Sequence, residues 1–510
     1  MTNYVYYNDF GAKGDGVTDD FDAIIAAHEY ANANALPVKA NHGVCYYIGD
    51  KSKKKEAVIK TDTCWGDAEF IIDNSKLTAD DTDPGEKYYI NAHHIFSIES
   101  AFDPIVFTGE EAKKFRLTKG MKALDLHELS LQSDTYVVCE NTEKMQYFRV
   151  GYDGAGTARN KGEYQIDSFK IDSNGNIDQD SPVIWDYTPT SVTFYPIDSH
   201  TLTVSGGVFT SICDRVPNSG YLKRGIDIKR SNTVIKNVTH GITNERETLM
   251  QGTPYSGFYF VNTAYDVTLE DCIAHSKRKV YQGTYDIYVY LSAKVLLKNV
   301  KQSNNIMDGD RFGIICMEYG KDVTFDGCEL NRFDAHQGVT NAKILNSKLG
   351  NHGVNLVGFG SFYMKNTCVT SYGMISLRPD YGTFWDGDII IEDCRFTKTG
   401  NFGRGALIGS FAGGNYYGGV DFGYPSMLPG NVTISNLTVE NIDELQIFLD
   451  FLHEEYNPGD KNQYALGAPV SVTVEGISGV APDKVHLSGG SEPSASELFK
   501  DVHFRVSHSN

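Results

Sequence analysis

The sequence predicts an all-β chain wound as a right-handed parallel β-helix, with a capping helix at its start and a β-rich insertion among its early rungs. Three observations lead there. Fifty glycines against 15 prolines, with 31 tyrosines, suit many short strands closed by tight turns. One short phrase recurs at solenoid spacing through the middle of the chain. Helical periodicity is nearly absent from that region. A hydrophobic share of 41% with 22% charged residues excludes wholesale disorder. No window approaches the roughly 18 apolar residues of a membrane-spanning helix.

The first element is the stretch Asp9-Phe10-Gly11-Ala12-Lys13-Gly14-Asp15-Gly16-Val17-Thr18-Asp19-Asp20-Phe21-Asp22-Ala23-Ile24. Thr18 or Asp19 can cap a helix running through Ile24-Ile25-Ala26-Ala27, and such a helix would plug the open apolar end of a stack of strands. Asp15, Asp19 and Asp20 therefore read as structural despite their likeness to a metal-binding cluster. The stretch resembles the opening motif of the pectate lyase-like superfamily, which includes polygalacturonases, polysaccharide lyases, alginate C5-epimerases and phage tailspikes. That resemblance implies the right-handed parallel β-helix and a carbohydrate context.

The repeated phrase is an apolar pair followed by Asn or Asp and a small or apolar residue. It is seen in Val234-Ile235-Lys236-Asn237, Leu269-Glu270-Asp271-Cys272, Leu297-Lys298-Asn299 and Ile391-Glu392-Asp393-Cys394. With Ile235, Leu269, Leu297, Phe325, Leu345, Met364, Ile391 and Ile434 as register, the steps are 34, 28, 28, 20, 19, 27 and 43 residues. Asn and Asp at a fixed place suit a turn, because both tolerate the left-handed conformation. For the same reason Asn237, Asn431 and Asn436 read as turn residues, although each opens a glycosylation tripeptide. Four segments follow: 1–30 for the motif and helix, 31–198 for early rungs with the insertion, 199–440 for the main stack, and 441–510 for the last rungs, a loop over Ser491–Ser496 and a cap. Asp153–Gly156 and Ser173–Asn176 read as hairpin turns of the insertion. The nine cysteines contain no C-x-x-C pair, and Cys272, Cys328 and Cys394 sit at like places in the phrase, so they read as buried thiols.

Chemistry on a solenoid is sought as ladders, since equivalent outward residues of adjacent rungs lie about 4.8 Å apart. Alternation puts Asp227, Lys229, Tyr259, Tyr288, Tyr290 and Asn355 on one outward face. Tyr381, in the loop after Arg378, joins them as a substrate-binding candidate. Within Arg332-Phe333-Asp334-Ala335-His336, Asp334 and His336 are two apart and share a strand face, so the carboxylate can orient the imidazole. The phrase is similar to the Phe-Asp-Pro-His phrase of alginate C5-epimerases, with Ala335 in place of the proline. Arg378 can fork onto a carboxylate, and Glu318 is a further acid. Asn351-His352-Gly353 followed by Arg378 resembles polygalacturonase signatures more loosely. No metal site is assigned; calcium is a candidate only at Asp308 and Asp310 beside Arg311.

A net charge of −20 argues against nucleic acid and against an anionic membrane surface. It also disfavours a polyanionic substrate unless the site itself is basic. The expected function is cleavage of a uronate-containing polysaccharide by β-elimination, with His336, Asp334, Arg378 and Glu318 as catalytic candidates. A glycoside hydrolase is the first alternative and a tailspike-like glycan-binding protein the second. The expected partner is a polysaccharide or oligosaccharide, the assembly a monomer or homotrimer. Met1–Tyr7 lacks the basic and apolar regions of a leader, which fits a protein that stays inside until lysis or one whose export signal has been trimmed; the expected setting is extracellular, cell-surface or a phage virion.

Overall fold

The computed structural model describes residues 4–75, 77, 89–91, 93–146, 163–213, 221–245, 255–280, 283–378, 384–400, 404–410, 425–451, 466–489 and 497–508. A sheet of 33 strands, wound as a parallel β-helix, takes in strands from Val5–Tyr6 to His503–His508. The chain divides into two compact units. Met1–Pro104, Leu131–Tyr136 and Tyr195–Cys316 form the first; Ile105–Ser130, Val137–Phe194 and Met317–Asn510 form the second.

In the first unit, helix α1 (Phe21–Asn34) buries Phe21, Ile24, Ala27, His28 and Ala31. His28 and Trp65 both bond to the buried Tyr7 hydroxyl, at 2.9 and 2.8 Å. Neither Thr18 nor Asp19 occupies the helix cap. Asp20 does, and its carboxylate turns back to accept the amides of Lys13 and Gly14 at 2.7 and 2.9 Å. Asp19 accepts the Phe21 amide and Asp15 the amides of Val17 and Thr18. These aspartates thus hold backbone donors of a tight turn.

The apolar column expected from the repeat is present in each unit. Ile235, Leu269 and Leu297 stand in register in the first. In the second, the column runs Phe325, Ile344, Met364, Ile391, Ile434 and Val474. All of these are fully buried, as are Ile226 and Ile228. One position differs from the sequence reading: Ile344, not Leu345, occupies the column, and Leu345 is only half-buried. Two residues after the column comes the left-handed turn residue in Asn237, Asp271, Asn299, Asn346, Asn366, Asp393 and Asn436. Asn346 obeys that spacing only from Ile344. The turn side chains also bond from rung to rung: Asn299 to Asp271 at 3.1 Å, Asn366 to Asn346 at 2.9 Å, and Asn436 to Asp393 at 3.0 Å. Asn431 instead opens a strand and bonds to Asp388.

The stack continues past Asn441, where the phrase is lost: Val432, Val472 and Phe504 stand in parallel register. The insertion lies in the chain between Phe96–Ile98 and Ile226–Ile228, two strands that pair directly. It contains a four-stranded sheet of Ile105–Thr108, Thr135–Gln146, Glu163–Ile171 and Ser191–Pro196. Ser173–Asn176 makes the expected turn, with Gly175 at φ +85; Asp153–Gly156 and Ser491–Ser496 lie outside the described residues. Within the second unit, buried Lys321 ties a solenoid strand to Asp167 of the inserted sheet at 2.5 Å. Burial pushes the Lys321 pKa down, and Asp167 opposes that shift.

All nine cysteines are free thiols. Cys272, Cys328 and Cys394 are buried, and burial raises the Cys272 and Cys394 pKa values to about 12 and about 11. A thiol so placed is neither accessible nor ionised, whereas Cys368 is exposed. Alkylation of the native protein, followed by peptide mass mapping, should modify Cys368 quickly and leave the three repeat cysteines unmodified until denaturation.

Candidate functional site

The strand Glu329–Gln337 carries the sharpest motif. Simple alternation from Leu330 would send Phe333 outward. A register shift between Leu330 and Arg332 resets the parity, so that Leu330, Phe333 and Ala335 are all fully buried. Arg332, Asp334 and His336 are thereby sent to the opposite face. Asp334 stands beside Asn355, and Asn355 beside Ser376, on the next two rungs. Arg332 stands beside Gly353, which has φ +56 and whose missing side chain would meet the Gly373 carbonyl and Ser371 hydroxyl at 3.0 Å. On the preceding rung Glu318, half-buried, stands beside Gln337.

Four side chains converge there. Arg332 pairs with Asp334 Oδ2, the same oxygen that lies 3.3 Å from His336 Nδ1. Arg378, just past the strand Gly373–Leu377, places Nη1 2.9 Å from His336 Nδ1. A guanidinium only donates, so Nδ1 accepts, and the neutral ring carries its proton on Nε2. Asp334 therefore serves Arg332 more than it orients the imidazole. Asp334 is fully buried, and its Oδ1 has no hydrogen-bond partner among the described residues. Arg332, His336 and Arg378 retain 7, 7 and 5% exposure, so only a small part of each reaches the surface. Two guanidiniums thus line this face together with the Asp334 carboxylate and, on the neighbouring rung, Glu318, in a chain of net charge −20.

The remaining expected ladder divides between the units. Asp227, Lys229, Tyr288 and Tyr290 belong to the first, Asn355 to the second. Tyr259 is corrected: it is fully buried and faces inward, its hydroxyl 2.9 Å from the Val238 carbonyl and 2.8 Å from that of Ile273. Irregular pairing between Ser256 and Tyr259 shifts the parity, aligning Tyr259 with Ile226 and Ile287. Phe260 takes the outward place beside Asp227 and Tyr288 instead. Tyr381 lies outside the described residues.

Around Asp227 the first unit gathers groups that the sequence kept far apart. Lys229 Nζ lies 3.3 Å from Asp227, 3.7 Å from Glu99 and 3.9 Å from Glu56. Asn262 donates to Asp227 at 3.2 Å. Burial raises the Asp227 pKa to about 6, against the pull of Lys229. For Lys229, burial works downward, but Asp227, Glu56 and Glu99 outweigh it and the pKa rises.

Neither cluster fits a calcium cradle. Asp308 is used by the Asp310 amide at 3.0 Å and by Arg311 at 3.2 Å. At Asp334 and His336, guanidiniums hold Oδ2 and Nδ1, and a third cation would be set against two positive neighbours.

The stacked parallel rungs with an outward polar face define the class, a parallel β-helix, a fold that phage tailspikes also have. No family model matches the chain. The tailspike gp49 of Pseudomonas phage LKA1 superposes with TM-score 0.54 at 12% identity, over 98% of this chain and 84% of that one. The tailspike gp61 of Pseudomonas phage phi297 gives 0.53 at 13% identity, over 97% and 83%. A capsule KL64-specific depolymerase of Klebsiella phage P510 is 30% identical over 97 residues, which is 17% of this chain and 10% of that protein. The chain thus spans about a tenth of the length of that curated relative.

The sign of one stability effect follows from Asp227. Its folded pKa lies above the ordinary aspartate value, so the folded state binds the extra proton. That contribution is full below about pH 4 and is lost as pH rises through about 6. Asp227→Asn, permanently neutral, should raise the thermal midpoint at about pH 8 and change it little at about pH 4. Melting curves across that range check it.

Proposed function

We propose that the protein degrades an acidic polysaccharide by β-elimination at the Arg332–Asp334–His336–Arg378 face. The observation that carries this reading is the convergence of two guanidiniums, Arg332 and Arg378, on one polar face, a pair suited to gripping a sugar carboxylate. Arg378 and Arg332 bind the sugar carboxylate and stabilise the charge that spreads onto it as the C5 proton departs. Glu318, on the neighbouring rung, takes that proton. The electron pair forms the C4–C5 double bond and the C4–O4 bond breaks; the Nε2–H of neutral His336 hydrogen-bonds to the leaving oxygen, which takes its proton from solvent water. Asp334 fixes Arg332. The likeness to phage tailspikes and a capsule depolymerase supports a glycan substrate and a virion or extracellular setting.

Incubation with a panel of uronate polysaccharides should generate the ultraviolet absorbance of an unsaturated uronate. His336→Ala should reduce its rate by about 10² or more. Arg378→Lys keeps charge but loses the fork, and should raise KM more than it lowers kcat. Reducing sugar released without that absorbance would select a hydrolase, and binding without either signal would leave a glycan-binding spike.

A further inference from the structure

The outward face of the first unit forms two columns of neighbouring residues. Ser97, Asp227, Phe260 and Tyr288 stand in one register row from rung to rung. Asn262 and Tyr290 pair in the row beside it, near Lys229. One end of this face is a lysine held among three carboxylates; the other is aromatic, with Phe260 and Tyr288 edge to face at a 5.0 Å centroid separation. Glu56, Glu99 and Lys229 keep 18, 34 and 38% of their side-chain surface exposed, so the charged end meets solvent.

A separate observation points to an absent ligand. The ring of His94 stacks on Phe260 with centroids 5.4 Å apart. Burial, reinforced by Lys223 and Lys229, holds its pKa well below the usual range, so it is neutral. The Gly225 amide donates to Nδ1 at 3.4 Å, which leaves the ring hydrogen on Nε2. That N–H is buried, on a residue 1% exposed, and has no acceptor among the described residues. A buried donor left unpaired costs about 1–3 kcal/mol, and an incoming oxygen would recover it.

We propose that this face is a second saccharide site, one that takes a neutral sugar ring and rejects a carboxylate-bearing one. The apolar C–H side of a pyranose lies on Tyr288. Its hydroxyls donate to Glu56, Glu99 and Asp227 and accept from Lys229 and the His94 Nε2–H. Three carboxylates outnumber the two lysines of this face, Lys229 and Lys223, whose Nζ lies 5.9 Å over the Phe260 ring, and so disfavour the uronate that the second unit's arginines attract. The assignment rests on the glycan reading above but not on its chemistry.

The test separates the two. Calorimetric titration of intact His336→Ala protein, so that turnover does not intervene, uses neutral gluco-, galacto- and manno-oligosaccharides and, separately, oligogalacturonate. A neutral series should bind, with affinity at least tenfold lower in a chain that also carries Tyr288→Ala or Lys229→Met. Tyr288→Phe, which keeps the ring, should retain it, and circular dichroism should show every variant folded. Oligogalacturonate binding should be unchanged by these substitutions. Failure of every neutral series to bind, or equal binding in Tyr288→Ala and Lys229→Met, would overturn the site while leaving the elimination reading intact. Cleavage of a neutral series that is abolished by Asp227→Asn would overturn it as a binding site and make it a hydrolytic one. Absence of unsaturated product from the wild-type protein on every uronate polysaccharide, with neutral binding preserved, would sink only the elimination reading.

Discussion

Backbone hydrogen bonding between successive rungs constrains everything else in this molecule. Once strands stack in parallel, each inward residue must fill the space above the one before it. Each outward residue must likewise tolerate a neighbour at sheet spacing, about 4.8 Å away. The column Phe325, Ile344, Met364, Ile391, Ile434 meets the first demand with side chains that carry no hydrogen-bond donor. The second demand explains why polar chemistry arises here as ladders from distant parts of the sequence rather than from a single loop. It also explains the turn. A strand that must restart at the same height each time needs the same backbone reversal, and a left-handed Asn or Asp supplies it at low cost.

The outward surface converts this regularity into different chemistry in each unit. In the second, the bulge in Glu329–Gln337 gathers two arginines, a histidine and an aspartate on one side of a single strand and its neighbours. In the first, one lysine holds three carboxylates. Burial strengthens the pairs made by Asp334 and Asp227, because fewer waters compete for their charges. It is also why Asp227 keeps its proton further toward neutrality than an exposed aspartate does.

Much of this was legible because the apolar column and the turn residue recur with fixed spacing. The column through Ile235, Leu269 and Leu297, the buried repeat cysteines and the pairing of Asp334 with His336 follow from alternation and repetition alone. Parity failed where pairing slips. Tyr259 was read outward because nothing in Ser256–Asn262 announces the irregularity beside Gly257. Leu345 was taken for the column because it too is apolar, and only its spacing from Asn346 argued for Ile344. Arg332 had a signal that was passed over, since it stands two residues before Asp334 just as His336 stands two after. Glu56, Glu99 and His94 had none, because the inserted sheet separates them in sequence from the rung of Asp227 that they adjoin. Past Asn441 the phrase changes but the stacking does not, so a search for the phrase ended before the fold did.

The Asn and Asp ladder has an evolutionary corollary. Successive rungs present their neighbours with a like left-handed turn, a buried apolar side chain and an Asn or Asp acceptor, so the joint above a rung resembles the joint below it. Excision or duplication of one whole rung, cut at equivalent turn residues such as Asn346 and Asn366, would bring like against like. A lineage built this way can change length in steps of one sheet spacing, and can trade outward faces, while its core keeps no memory of the ancestral sequence.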